Sequence, residues 1–467
     1  MSLEEIARVV DGSLAGAGGS APSGYSIDTR TLRKGDLFFA IVGQNQDGHK
    51  FLAEAAAKGA VAAVISQGAH GAQLPVIVVK DTLRALQDLA GFVRRKLPAK
   101  VVAITGSSGK TTTKEMTRHA LEAAFQVHAS RGNLNNLFGC PLSLLELDPT
   151  HQVSVLEMGM SYHGELARLA EIADPDIGVL TNVSGAHLAH FTSVDDVAAA
   201  KGELFAGMRQ NTIGIFNTDD ERCRRIQDSF RGYGFTFGIE RPADLTAADY
   251  RMEGLEGSSF TVMHVHNGVS RSVQVRSQFV GVHHVYNALA ALSVGYMLGI
   301  SLEAMTERLS ALAPLRMRGR LLRLKSSVRV LDDSYNANPA AVVFALGVLK
   351  EAELPAEGRK VLVLGDMLEL GEGQEEAHAE IGRSIAAAGC DIVVGVGPLT
   401  AYALEALSKS APRSGAKIET LHFNDSDKAA GRVAALARPG DLFLVKGSRG
   451  MALEKIVTAL KERFGEE

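Results

Sequence analysis

Val101-Val-Ala-Ile-Thr-Gly-Ser-Ser-Gly-Lys-Thr-Thr112 sets the architecture expected for this chain. A β-branched run passes through a glycine-rich turn into a segment, Thr113 to Ala124, with helical patterning. Such a strand–turn–helix suits phosphate: glycines let backbone N–H groups curl around phosphate oxygens, and the helix adds the positive end of its dipole. Gly106, Ser107, Ser108 and Gly109 form the turn, with Thr112 closing the run. Lys110 is placed to reach the β- and γ-phosphates, and the Thr111 hydroxyl to ligate Mg2+. The general P-loop places four residues between its glycines; here Gly106 and Gly109 enclose two, and Ile104 holds the first glycine position. The Gly-Lys-Thr-Thr ending and its flanks still favour a nucleotide-phosphate site over a bland strand–helix turn.

The same unit recurs on both sides. Short β-branched runs at Val61–Ile65, Val76–Val79, Val153–Glu157, Ile177–Thr181, Arg329–Asp332, Val361–Leu364, Ile392–Val396 and Leu442–Val445 alternate with helical segments. That alternation predicts an α/β protein with largely parallel sheets. Residues 231–280 change character: Tyr233–Phe237 and Ser259–Val265 alternate like antiparallel strands, which predicts a β-rich flank. Asp81 opens an amphipathic connecting helix that ends at Pro98. A second break falls where Pro314, Gly319 and three arginines interrupt the alternation. The expected domains are 1–82 (small, α/β), 83–314 (a central P-loop-type, mostly parallel sheet flanked by helices) and 315–467 (Rossmann-like α/β). Three domains also suit 467 residues at roughly 150 per domain.

Composition excludes several classes. Hydrophobic residues are 46% and charged residues 22%, values of an ordinary folded protein, so disorder is excluded. A net charge of −4 argues against a general nucleic-acid or anionic-membrane binder. Cys140, Cys223 and Cys390 form no CxxC pair and fit a reducing compartment. The acidic start Met1-Ser-Leu-Glu-Glu5 lacks the basic charge of a signal peptide, and no apolar run reaches transmembrane length. A cytoplasmic protein without membrane insertion is expected.

Ligands of open parallel sheets bind outside the carboxyl ends of the strands. Glu157, and Asn182 and His187 after the next strand, should therefore converge with the phosphate loop. A carboxylate and an imidazole beside nucleotide phosphates are plausible ligands for divalent cations, although Mg2+ prefers oxygen. Each also has a structural reading, as a turn, cap or surface residue. Lys201, in the helical run Val194 to Met208, reads alone as a solvated lysine; pointing inward, it would offset phosphate charge or, carbamylated, become an anionic metal ligand. In the last domain Asp332-Asp-Ser-Tyr-Asn-Ala-Asn-Pro339 follows a strand, and its small polar groups suit a sugar hydroxyl or a carboxylate. Asp333 or Asn338 could equally cap the next helix. Gly365–Gly371 and Lys446–Gly450 have the same placement.

Taken together, these stretches resemble the Mur ligases of peptidoglycan synthesis, most closely the branch that adds D-alanyl-D-alanine. The likeness extends through Ser26–Thr31, Gly35–Ala40, Gly132–Asn136, Glu157–Met160, Asn182–His187, Ala200–Glu203, Tyr286–Ala290, Arg318–Arg320 and Lys446–Met451, and the short phosphate loop is a family trait. The resemblance implies an ATP-dependent ligase. The carboxylate of UDP-MurNAc-tripeptide would take the γ-phosphoryl group of ATP, and the amine of D-alanyl-D-alanine would displace phosphate from that acyl phosphate. By position it implies Lys110, Glu157, His187 and Lys201 as catalytic residues. Thr111, Glu157, His187 and a carbamylated Lys201 would surround Mg2+. Asn287 would meet adenine, Arg320 the γ-phosphate and Asp333 the ribose. Thr29 and Arg30 would lie near the uridine diphosphate, and Asn133 and Asn136 near the muramoyl peptide, with Tyr335, Asn336 and Asn338 on the substrate side. A monomer is expected, opening and closing about residues 313–318. Two rivals lack their signatures: no Asp-Asn-Pro-Arg marks the ligase that adds the third amino acid, and no Asn-Lys-x-Asp marks a guanine-nucleotide switch.

Overall fold

The computed structural model describes every residue except 17–19, 44–45, 67–72, 186–187, 267–268 and 411–417, so His187 lies outside the described residues. Among the described residues the strands form three sheets of five, nine and six members. The fold is the expected α/β arrangement, with parallel pairing dominating each sheet.

The phosphate-loop strand, Lys100–Thr105, lies inside the nine-stranded sheet between Val153–Glu157 and Ile177–Leu180. Register aligns Ile104 with Glu157 and Thr105 with Leu180, so all three strands end at one level. The chain runs first to one side of this strand, through Val127–Ala129 and Val153–Glu157, and then crosses to Ile177–Leu180 on the other; open α/β sheets hold ligands where the order reverses in this way. Helix Lys110–Leu121 follows the loop and packs with Val282–Met297 against one face, where Met116, Ala120 and Leu121 meet Ala288, Leu289 and Leu292. Helices Thr82–Lys96, Glu165–Ala173 and Val194–Ala206 contribute to the core on the other face.

Asp81 does cap the connecting helix: its carboxylate accepts from the Arg84 N–H at 2.9 Å. The core does not break at that helix. One apolar cluster runs from Leu3, Ile6 and Phe39 through Leu86 and Leu89 to Val101, Leu156 and Leu169. The six-stranded sheet, Arg320 to Phe423 with Leu442–Lys446 inserted, has separate clusters, to which the central unit contributes Leu255 and Val280.

The β-rich flank differs in one detail from expectation. Leu245–Met252, Ser258–His266 and Val269–Ser277 are antiparallel, but Tyr233–Gly238 is parallel to Ile213–Asn217 and to Leu245–Met252. Alternation reports that a strand is covered more on one face than the other; it carries no information on chain direction.

Candidate active site

Gly106 adopts φ +150 and Gly109 φ +80, conformations that disfavour any side chain. Space forbids one as well: a Cβ on Gly106 would run into the Thr181 hydroxyl, and one on Gly109 into the Asn287 amide oxygen. The loop is held from the next strand end. Asn182 accepts the Ser108 N–H at 3.0 Å through Oδ1 and donates through Nδ2 to the Ser108 carbonyl at 3.1 Å. Ser107 donates its hydroxyl to the Ser184 carbonyl and accepts the Ser184 N–H, at 3.0 and 2.9 Å. Thr181 donates to the Ser108 carbonyl at 2.7 Å.

Lys110 folds back over this loop, donating to the Gly106 carbonyl at 2.7 Å. Burial lowers its pKa; the Glu157 carboxylate opposes that shift and the Arg318 guanidinium adds to it. One residue on, the Thr111 hydroxyl donates to Glu157 Oε2 at 2.7 Å. Asn135 Nδ2 donates to Glu157 Oε1 at 2.8 Å. Glu157 is only 3% exposed, yet its carboxylate is met by neutral donors. Thr112 is buried in the first helical turn. Asn287, also buried, accepts the Thr113 hydroxyl at 3.2 Å.

Lys201 is 1% exposed, so the solvated reading fails. No hydrogen bond or ion pair joins its ammonium to a described residue. Its pKa falls well below the usual lysine range, first through desolvation and then through the charge of Lys110, against a smaller opposing effect of Cys223.

A cavity of about 990 Å³ opens between these groups and the C-terminal sheet. From the central side it is lined by Ser107 to Thr112, Asn136, Glu157 and Asn287; from the other by Asp333, Tyr335, Asn336, Asn338 and Lys446. Lys446 Nζ bridges the Asp333 carboxylate at 2.6 Å and the Asn336 carbonyl at 3.1 Å. Asn338, not Asp333, caps helix Pro339–Glu351, accepting the Ala341 N–H at 2.9 Å.

Three expectations meet a different placement. Arg320 opens an edge strand opposite Asp332, is exposed and does not line the cavity. Arg318 lines it instead, its guanidinium 4.0 Å from the centre of the Tyr335 ring. Met317 and Gly319 both have positive φ, and that turn sends the two arginines different ways. Asn133 is exposed and away from the cavity; Asn135 reaches Glu157, while Asn136 holds its own loop by accepting the Gly139 N–H at 2.9 Å. Thr29 and Arg30 lie in the turn that follows the first sheet's edge strand Gly24–Ser26, where Arg30 pairs with Asp28 at 2.6 Å. Neither lines the cavity.

His283 was not singled out by sequence and does line it. Its Nδ1 is buried without a hydrogen-bond partner among the described residues. Burial is the main cause that pushes its pKa down to about 4. His284 beside it lines the cavity as well, and two adjacent histidines at a helix start carry no sequence signal for either.

Residues 23–94 match the family model described as Mur ligase family, catalytic domain; 104–295 match the Mur ligase middle domain; 317–449 match the Mur ligase, glutamate ligase domain. The chain is 36% identical to the UDP-N-acetylmuramoyl-tripeptide–D-alanyl-D-alanine ligase of Escherichia coli (strain K12), covering 99% of this chain and 98% of the relative. Among solved structures, MurF from Acinetobacter baumannii superposes with a TM-score of 0.88 at 30% identity, covering 99% of this chain and 98% of that one. MurF ligase from Thermotoga maritima in complex with ADP gives a TM-score of 0.80 at 29% identity, covering 94% and 97%.

Gly109→Ala combines left-handed backbone strain of about 1–2 kcal/mol with displacement of Asn287, so it should raise the KM for ATP by roughly tenfold or more. Steady-state kinetics at saturating co-substrates would measure this.

Proposed function

Because the chain belongs to the Mur ligase family, we propose that it joins D-alanyl-D-alanine to UDP-MurNAc-tripeptide at the expense of ATP. It is an ATP-dependent peptide ligase of peptidoglycan precursor synthesis. The observation that carries the site reading is the phosphate loop and the Thr111–Glu157 pair facing Asp333 and Arg318 across one cavity.

A carboxylate is a poor electrophile, and its oxygen must approach an anionic γ-phosphate. The loop N–H groups and Lys110 disperse that charge. Attack by the tripeptide carboxylate breaks the bond to ADP and forms an acyl phosphate. The dipeptide amine then adds to the carbonyl, loses its proton, and phosphate leaves. Water must be excluded from the acyl phosphate, which gives closure of the C-terminal unit over the cavity a chemical purpose. In this reading residues 1–82 hold the UDP-sugar, 83–314 ATP, and 315–467 the dipeptide together with part of the ATP site.

The donor set fits Mg2+. Thr111 and Glu157 offer hard oxygen atoms, and a buried carboxylate met by neutral donors suits a divalent cation. Bound there, Mg2+ would neutralise phosphate charge during transfer. Lys201 fits carbamylation: burial favours its neutral amine, whose nitrogen can attack CO2 and release a proton, leaving a carbamate anion. His187, outside the described residues, stays a proposed metal ligand on the family resemblance alone. Thr29 and Arg30 are proposed for the uridine diphosphate, and Asn136, with Asn135 in place of Asn133, for the muramoyl-peptide side. The protein would act as a cytoplasmic monomer, and no helix among the described residues is long and apolar enough to cross a membrane.

Phosphate release from Mg-ATP should require both UDP-MurNAc-tripeptide and D-alanyl-D-alanine, with a pentapeptide product by mass spectrometry. Consumption of UDP-MurNAc-dipeptide plus a diamino acid instead would move the protein to the preceding step. Lys201→Ala should lose most activity and recover part of it with added short carboxylates; full activity without them would end the carbamate reading. Arg318→Met should raise the KM for ATP more than Arg320→Met does, and the reverse order would return the γ-phosphate role to Arg320.

A further inference from the structure

Below the phosphate loop lies a brace that the proposed mechanism does not use. Lys114, one turn beyond Lys110 on the same helix, is 0% exposed. Its ammonium donates to the Ser130 carbonyl at 2.5 Å and pairs with Glu115 at 2.9 Å. Burial disfavours the Glu115 carboxylate, but the charges and hydrogen bonds of Lys114 and Arg118 outweigh it and hold its pKa below the usual range. Arg118 also pairs with Glu122, which is itself partly buried.

Ser130 is 2% exposed and follows strand Val127–Ala129. Its N–H donates to the Val155 carbonyl at 3.0 Å, and its hydroxyl accepts the Glu157 N–H at 3.1 Å. One residue therefore ties together the phosphate-loop helix, through Lys114, and the strand that ends in Glu157. It also opens the loop that brings Asn135 back to Glu157 Oε1. A buried ion pair is seldom needed for stability, because apolar residues of similar volume fill the same space. What a lysine adds here is a fixed distance. Thr111 and Lys114 are three residues apart on one helix and so share a face. Anchoring Lys114 at the strand ends thus sets where Thr111 stands relative to Glu157.

We propose that Lys114 and Ser130 are positioning residues that fix the separation of Thr111 and Glu157, and through it the affinity for the magnesium nucleotide. The proposal rests on the reading of that pair as Mg2+ ligands. Neither residue lines the cavity, so neither touches substrate.

Calorimetric titration of the full chain with ADP, in Mg2+ and separately in EDTA, isolates the effect. Wild-type affinity should depend on Mg2+; indifference to the metal would refute the ligand reading itself and the proposal with it. Lys114→Met and Ser130→Ala should reduce the Mg2+-dependent gain roughly tenfold or more while leaving the metal-free affinity nearly unchanged, and Ser130→Thr should restore the gain. Ser130→Ala removes a single hydroxyl and keeps the test open should Lys114→Met fail to fold. Equal loss of both affinities, or loss of neither, would overturn the proposal.

Discussion

A buried carboxylate satisfied by neutral donors is the constraint around which this protein is arranged. Taking an anion out of water costs several kcal/mol even after relaxation, and hydroxyl and amide donors return only part of it. Glu157 carries that cost at the end of a central strand, beside a loop whose N–H groups and lysine await anions of their own. The proposed magnesium nucleotide, in which a cation and phosphates arrive together, would complete that balance. Much of the surrounding structure holds these groups still: the Asn182 fork, the Ser107–Ser184 exchange and the hydroxyl of Thr181.

Elements with strong local signals are legible in the sequence. The phosphate loop, the parallel strands and the Asp81 cap follow from β-branched runs, glycines and cap residues, all of them chemistry within a few positions. The direction of Tyr233–Gly238 is not, because a half-covered strand shows the same alternation whichever way it pairs. Individual site residues are hardest where several identical ones stand together. Among Asn133, Asn135 and Asn136, only the path of the loop determines which amide reaches Glu157. Between Arg318 and Arg320 the deciding factor is a turn with Met317 in a left-handed conformation, which sequence gives no reason to expect of a methionine.

Lys201 shows the opposite difficulty. In a run of helical residues nothing separates a solvated lysine from a buried one, since the Val194–Ala206 helix is apolar over much of its length and packs on both its neighbours. Burial then changes the chemistry of the group, because desolvation and the nearby Lys110 charge disfavour an ammonium relative to an amine. Family likeness, not patterning, singles the residue out.

The chain has three sheets but mechanically fewer bodies. Because one apolar cluster runs unbroken from Leu3 and Phe39 through the connecting helix to Leu156, the first and second sheets cannot slide past each other without wetting their shared core. The third sheet is packed by further clusters, one of which takes in Leu255 and Val280 of the central unit, and the chain enters it through the turn at Met317 and Gly319. The proposed closure of the C-terminal unit would bend at that smaller shared surface. If the C-terminal unit closes as proposed, the cavity would work like a vice with a single moving jaw, and a sugar nucleotide seated on the fixed jaw would keep its place while the other side opens to exchange nucleotide and product.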